Sequence, residues 1–419
     1  MKTYIIIALA LLSAIAVTAQ EEDESRFGIK FSGFVKNDFF WDSRQTVSAR
    51  EGHFLLWPSP VSLDELGNDI NDKASFNFLA IQSRLIGNIT GPDAFGAKTS
   101  GLIEGDFFAQ ANDNVNLFRL RHALVKLNWE HLEILAGQYW NPLFVTACFP
   151  GTISFNTGTP MQSFARNPQL RVTYKVGGFS ILAAALSQRD YSSVGPLGAS
   201  SQYLRNSAVP DMHMQLHFGT SNESGLNILA GAGAAYKTIV PRLTSSPIDG
   251  VTYVVNEKVD GFTAMAFTKL TTGPITAKLQ VRYGENISDL LGISGFAATG
   301  ITNITTDERS YTPLKSMTFW GEIQTNGNPQ VGIFGGLTSN NGTKESILLG
   351  SPVYGRGTTI RRLYRIAPRI MFNANKVCVA MELEYTNAAY GSNYNEFYIP
   401  SETVSANNLR ILTSVYYHF

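Results

Sequence analysis

The densest group of chemistry-bearing residues in this 419-residue chain is Arg361-Arg362-Leu363-Tyr364-Arg365-Ile366-Ala367-Pro368-Arg369. In an extended strand side chains alternate with period two, so Arg361, Arg365 and Arg369 share one face while Ile366, Pro368 and Ile370 take the other. A following strand would set Glu382 and Glu384 on one face, building a cross-strand ladder of opposite charges. Such a face reads in two ways: as a basic wall that draws anions through a pore, or as a polar surface whose charges neutralise each other. Pro368 has no N–H to give a ladder and marks a bulge or an unpaired position. Glu104 and Asp106 have the residue types of an acid/base pair, but two carboxylates on one strand face beside water are ordinarily just solvated. His213 and His217 also share a face, about 13 Å apart at the usual strand rise, too far to hold one zinc ion. No Gly-x-Ser-x-Gly elbow, phosphate loop or paired-cysteine motif occurs. No catalytic residue, metal or cofactor is expected, and the chain does not read as an enzyme.

The elements that must carry these residues are strands of about ten residues with one apolar and one polar face. In Leu170–Val176, Leu170, Val172, Tyr174 and Val176 oppose Arg171, Thr173 and Lys175. In Ile275–Tyr283 the apolar set opposes Lys278 and Arg282, and in Val377–Tyr385 it opposes Glu382 and Glu384. Repeated alternation of this kind is the signature of a membrane barrel, with apolar side chains facing lipid and polar ones facing a lumen. Short Gly, Asn or Pro turns, such as Asn128–His131, Gly177-Gly178 and Asn326-Gly327-Asn328, alternate with long connections near 42–73, 139–167, 190–209, 285–312 and 338–357. The reading is an all-β chain: a transmembrane antiparallel β-barrel of about sixteen strands, with short periplasmic turns and long extracellular loops. Its expected pore-lining residues are Arg84, Glu104, Asp106, Arg171, Lys175, Lys278, Arg282, Arg361, Arg365, Arg369, Glu382 and Glu384.

Residues 1–20 read as a signal peptide: Lys2, an apolar stretch from Tyr4 to Leu12, and a small-residue site at Val17-Thr18-Ala19. Residues 21–419 then form one barrel. Beyond Gln20 nothing approaches the ~20 consecutive apolar residues of a membrane helix. Charged residues are 16% of the chain against ~25% in ordinary soluble domains, while aromatics reach 11%. Formal net charge is zero, so no bulk field points to nucleic acid. Cys148 and Cys378 would make one disulfide at most, which is no disulfide scaffold.

The final strand, Leu409 to Phe419, has Leu409, Ile411, Thr413, Val415, Tyr417 and Phe419 on one face. Val415, Tyr417 and the terminal Phe419 resemble the sorting signal of bacterial outer-membrane barrels, which implies the barrel-assembly machinery as a partner. The segment 139–167, rich in aromatics and Thr, exceeds the ~12–15 residues of ordinary loops, and a place inside the bore as a constriction is one of two readings; the other is packing on the outside. Leu120–Leu127, a tight turn, Leu132–Gln138 and then Pro142 resemble a strand pair of the DcaP-like and phosphate-selective porins. The resemblance implies a sixteen-stranded diffusion channel and a homotrimer. The chain departs from the phosphate-selective pattern in lacking a dense run of loop arginines and lysines, with only Arg166 near the loop's end. The expected function is passive diffusion of small hydrophilic solutes with a mild anion preference, in contact with outer-membrane lipid and lipopolysaccharide. The alternative is a surface barrel that binds a host or glycan through its long loops.

Overall fold

A computed structural model describes residues 27–109, 111–222 and 225–419; the signal peptide expected at 1–20 lies outside the described residues. The chain forms a closed antiparallel barrel of sixteen strands. They are β1 (Gly28–Asp42), β2 (in two pieces, Ser75–Leu79 and Arg84–Thr90), β3 (Lys98–Asp106), β4 (Arg119–Asn128), β5 (Leu132–Trp140) and β6 (Arg166–Val176). Then come β7 (Phe179–Leu186), β8 (Asp211–Ser221), β9 (Asn227–Ile239), β10 (Val259–Thr271) and β11 (Ile275–Glu285). The last five are β12 (Glu308–Thr325), β13 (Gln330–Thr343), β14 (Ile360–Ala374), β15 (Val377–Tyr394) and β16 (Pro400–His418). Each strand pairs with its sequence neighbours, and β16 returns to β1, with Val35 opposite Tyr417 and Asp42 opposite Arg410. Phe419 completes the seam by exchanging backbone hydrogen bonds with Gly33. Closure leaves no edge of unpaired N–H and C=O groups, which hydrocarbon would not tolerate.

Period-two alternation decides which face is which. In β15, Val377, Val379, Met381, Leu383 and Tyr385 are exposed on the outer wall, while Cys378, Ala380, Glu382, Glu384 and Thr386 are buried inside. β8 repeats the pattern, with Met212, Met214, Leu216 and Phe218 outward and Asp211, His213 and Gln215 inward. An apolar exterior around a polar interior inverts a soluble protein and suits a wall facing lipid. Val415, Tyr417 and Phe419 all take the outer face, half-buried in the first case and exposed in the other two.

One rim carries short turns, among them 129–131, 177–178, 272–274 and 375–376. The other carries long loops: L1 (43–74), L2 (107–118), L3 (141–165), L4 (187–210), L5 (240–258), L6 (286–307) and L7 (344–359). The wall is uneven in height. β3, β4 and β5 have 9, 10 and 9 residues, whereas β12, β15 and β16 have 18, 18 and 19. Pro368 faces outward, and the β14–β15 ladder has no partners at 367 and 368, so the proline's missing donor coincides with a gap in pairing. Cys148 and Cys378 are both buried free thiols.

Candidate functional site

L3 lies inside the barrel, and its backbone is what the inward charges hold. Gly151 N donates to Glu322 Oε2 (2.5 Å), Ile153 N and Ser154 N donate to the two oxygens of Glu382 (2.7 and 3.1 Å), and Asn156 Nδ2 donates to Glu384 (2.7 Å). The cations take the loop's carbonyls. Lys278 Nζ donates to Phe149 O (2.9 Å), Lys36 Nζ to Ile153 O (3.1 Å), Arg365 Nη1 to Thr159 O (2.6 Å) and Arg282 Nη2 to Pro160 O (3.3 Å). Hydrogen bonds to charged groups are worth about 1.5–3 kcal/mol each, so this set fixes the loop against the wall. Arg369 crosses over β13 to reach Glu322 (3.1 Å), and its guanidinium passes where any Cβ at Gly332 would lie within 2.8 Å. Gly332 therefore leaves the room that this ion pair needs.

Two other loops enter the bore. The L1 hairpin, Thr46–Ala49 and Phe54–Pro58, is seated by Arg365 Nη2 on Leu56 O (2.7 Å), Arg410 Nη2 on Gly52 O (2.7 Å) and Tyr390 on Pro58 O (2.7 Å). His53 Nε2 lies 2.6 Å from Asp38. Burial lowers the His53 pKa from its ordinary value, against the pull of Asp38. L6 meets L3 through Phe164 N on Leu290 O (3.1 Å) and is tied to the wall by the Lys237–Asp289 ion pair. Where the three loops converge, Phe54, Phe155, Phe164, Leu143, Ile287 and Leu290 form an apolar core within the bore.

The opposite wall is built differently. On β2–β6, Arg121 bonds Glu104 (2.5 Å) and Asp106 (2.7 Å), Arg119 bonds Asp106 (2.8 Å), and Arg166 bonds Asp190 (2.7 Å). Arg84 is held more loosely, 3.4 Å from Glu104 and 3.9 Å from Asp106. Burial works to raise the Asp190 carboxyl, but Arg166 and Arg119 outweigh it and leave it below the ordinary range. Between this wall and L3 lies a cavity of about 450 Å³, reached by Arg84, Arg121, Tyr139, Trp140, Phe149 and Ser154.

The residues expected to line a pore thus separate into groups. Lys278, Arg282, Arg365, Arg369, Glu382 and Glu384 are buried, and all but Arg369 bond L3 directly. Arg369 contributes through Glu322, which accepts from Gly151. Arg84, Glu104 and Asp106 form the facing ladder. Arg171 is tied down locally, to Gln169 and Trp140 O. Lys175 is 56% exposed, 3.7 Å from Glu133 near the short turns. Arg361 stands apart from Arg365 and Arg369, beside a bulge in the β14–β15 ladder, where it donates to Asn340 O. The expected charge ladder on β14 and β15 is represented by Arg365 and Glu384 (3.2 Å); Arg369 turns instead to Glu322. Among the described residues no group of three or more His, Cys, Asp or Glu is placed to hold a metal.

Sequence reasoning missed the L1 hairpin, Arg410, the L6 contact and the part that Arg119 and Arg121 play. One signal was present: Phe54-Leu55-Leu56-Trp57-Pro58 is an apolar run inside a polar connection, and all five residues are buried. Arg121 is the extra residue at a register shift, between His122 opposite Glu104 and Leu120 opposite Gly105, which breaks the period-two count there.

No family model matches the chain, and no curated protein matches it in sequence. Solved structures do match in shape. The outer membrane channel DcaP of Acinetobacter baumannii superposes with a TM-score of 0.67 at 16% identity, over 96% of this chain and all of that one. The fold is that of outer-membrane porins. The trimer form of OmpT, an outer membrane protein of Vibrio cholerae, matches at 0.52 and 11% identity, covering 94% of this chain and 99% of that one. An anion-selective porin from Comamonas acidovorans matches at 0.51 and 10%, covering 94% and 100%.

Proposed function

We propose that this protein is an outer-membrane porin that passes small hydrophilic solutes by diffusion. The observation that carries this reading is L3 held within a closed barrel by lumenal charges, with a cavity of mixed polar and apolar lining left between the loop and the β2–β6 ladder. Fixed charge beside a narrowed passage is how pores discriminate ions. The ladder's four arginines, Arg84, Arg119, Arg121 and Arg166, face three carboxylates, Glu104, Asp106 and Asp190, which favours a mild anion preference. The likeness to DcaP, to a trimeric OmpT and to an anion-selective porin supports a channel that assembles as a homotrimer. In this reading residues 1–20 direct export and are removed, β16 engages the barrel-assembly machinery, and the apolar wall contacts lipid and lipopolysaccharide.

The test is single-channel recording of refolded protein in a planar bilayer under a salt gradient. Ohmic steps with a reversal potential of anionic sign are expected. The apolar core formed by L1, L3 and L6 favours a second reading, a plugged barrel that binds partners through its outer loops. Folded protein that leaves the bilayer silent would select it.

A further inference from the structure

The cavity between L3 and the β2–β5 wall is furnished for a particular kind of solute. Its floor is a stack of rings: Trp140 on Phe144 at 3.9 Å and 12°, and Phe144 on Phe149 at 5.2 Å and 30°. Phe144 is buried, but Phe149, the end of the stack, lines the cavity and is 37% exposed. Lys278 Nζ stands 5.9 Å from the centre of the Phe149 ring, and the part of the ring that stays exposed is a platform for another flat apolar face in a cavity of mixed polar and apolar lining.

Two arginines line it: Arg121 is paired, whereas Arg84 lies 3.4 Å from Glu104 and its Nε has no hydrogen-bond partner. Arg121 is saturated by Glu104 and Asp106, so an incoming anion would have to compete with two carboxylates for it. Arg84 and Arg121 reach the cavity and offer N–H groups to hydroxyl oxygens. Uncharged polar groups complete the lining. Gln82, Thr146 and Thr152 reach the cavity, and the Oγ of Ser154, in a residue only 3% exposed, has no hydrogen-bond partner. The volume, about 450 Å³, is that of a small-molecule site.

We infer that this cavity is a binding station for a neutral pyranose sugar of one or two rings, stacked on Phe149 and hydrogen-bonded by Ser154, Arg84 and Arg121. The inference rests on the channel reading above and specifies its solute. Stacking supplies affinity that a small inorganic ion would not gain.

The probes are glucose and maltose, added to single channels in a planar bilayer, beside mannitol, an open-chain polyol of similar size, and benzoate, a flat anion. Saturable block by glucose and maltose, absent with mannitol, is expected. Phe149→Ala should raise the half-blocking concentration about tenfold while Phe149→Tyr preserves it. Equal block by glucose and mannitol, or block by benzoate alone, overturns the sugar site while leaving the channel intact. If no current appears, the channel reading fails by itself. Calorimetric titration of maltose into detergent-solubilised protein, wild type against Phe149→Ala, then decides the site: aromatic-dependent heat supports it and its absence overturns it.

Discussion

Two walls of one bore use the same residue types for different ends. On β1 and β11–β16, Lys36, Lys278, Arg282, Arg365, Glu322, Glu382 and Glu384 meet the peptide groups of L3 and spend their charge on its carbonyls and N–H groups. On β2–β6 the arginines and carboxylates pair chiefly with each other beside the cavity, with one L2 amide, Phe108 N, also on Asp106. The role of a lumenal charge therefore follows from what lies opposite it, not from its being lumenal. The first wall is a mechanical support. The second is the one whose charges a passing solute meets.

Removing a support should do most. Arg365→Leu strips Glu384 of its ion pair and frees the carbonyls of Thr159 and Leu56, and we expect a loss of about 3–5 kcal/mol in urea unfolding together with larger, noisier single-channel currents. Currents unchanged in size and noise would mean that L3 does not depend on this wall. Glu104→Gln with Asp106→Asn should leave L3 seated but make the facing wall more positive, raising the anion-to-cation permeability ratio roughly two- to tenfold. A matched loss of barrel stability instead would assign those carboxylates to the support. Asp190→Asn probes the ladder through pH. Because the folded Asp190 carboxyl lies below its ordinary range, its contribution of about 1–3 kcal/mol is present above pH ~4 and disappears as pH falls through the lowered value. Wild type and variant should differ in stability at pH 7 and converge in strong acid; a constant gap at every pH would remove the ion pair as the cause. Arg361→Gln, at the bulge on β14 and bonded to Asn340 O rather than to L3 or the facing ladder, should leave the reversal potential where it was. Least of all should change for the thiols: burial pushes Cys148 up to about 11, and a maleimide should label neither cysteine until the barrel is unfolded.

The barrel itself was legible in the sequence because one physical rule, alternation on a wall with lipid outside and water inside, acts on every strand independently. The outward set Val377, Val379, Met381, Leu383 and Tyr385 could be written down without neighbours. The interior was not legible in the same way. That Arg365 holds Leu56 O and Thr159 O joins residues 309 and 206 positions apart, and no local period encodes such a contact. Lys175 and Arg361 show the other failing. Parity gives a face but not a height, and near a rim an inward parity still ends in solvent or on a loop carbonyl. L1 was misjudged because its connection is polar on average, while the short run that folds inward is not.

The seam between β1 and β16 has a consequence for the order of events in biogenesis. Arg410, on the last strand, binds Asp42 on the first at 2.6 Å and at the same time caps Gly52 O in the L1 hairpin. Until the last strand arrives, Asp42 has no guanidinium and the hairpin has lost one of its anchors. Closing the ring therefore adds the last of three anchors to L1, after Arg365 on Leu56 O and Tyr390 on Pro58 O, and a barrel caught before closure is expected to show a more protease-sensitive L1.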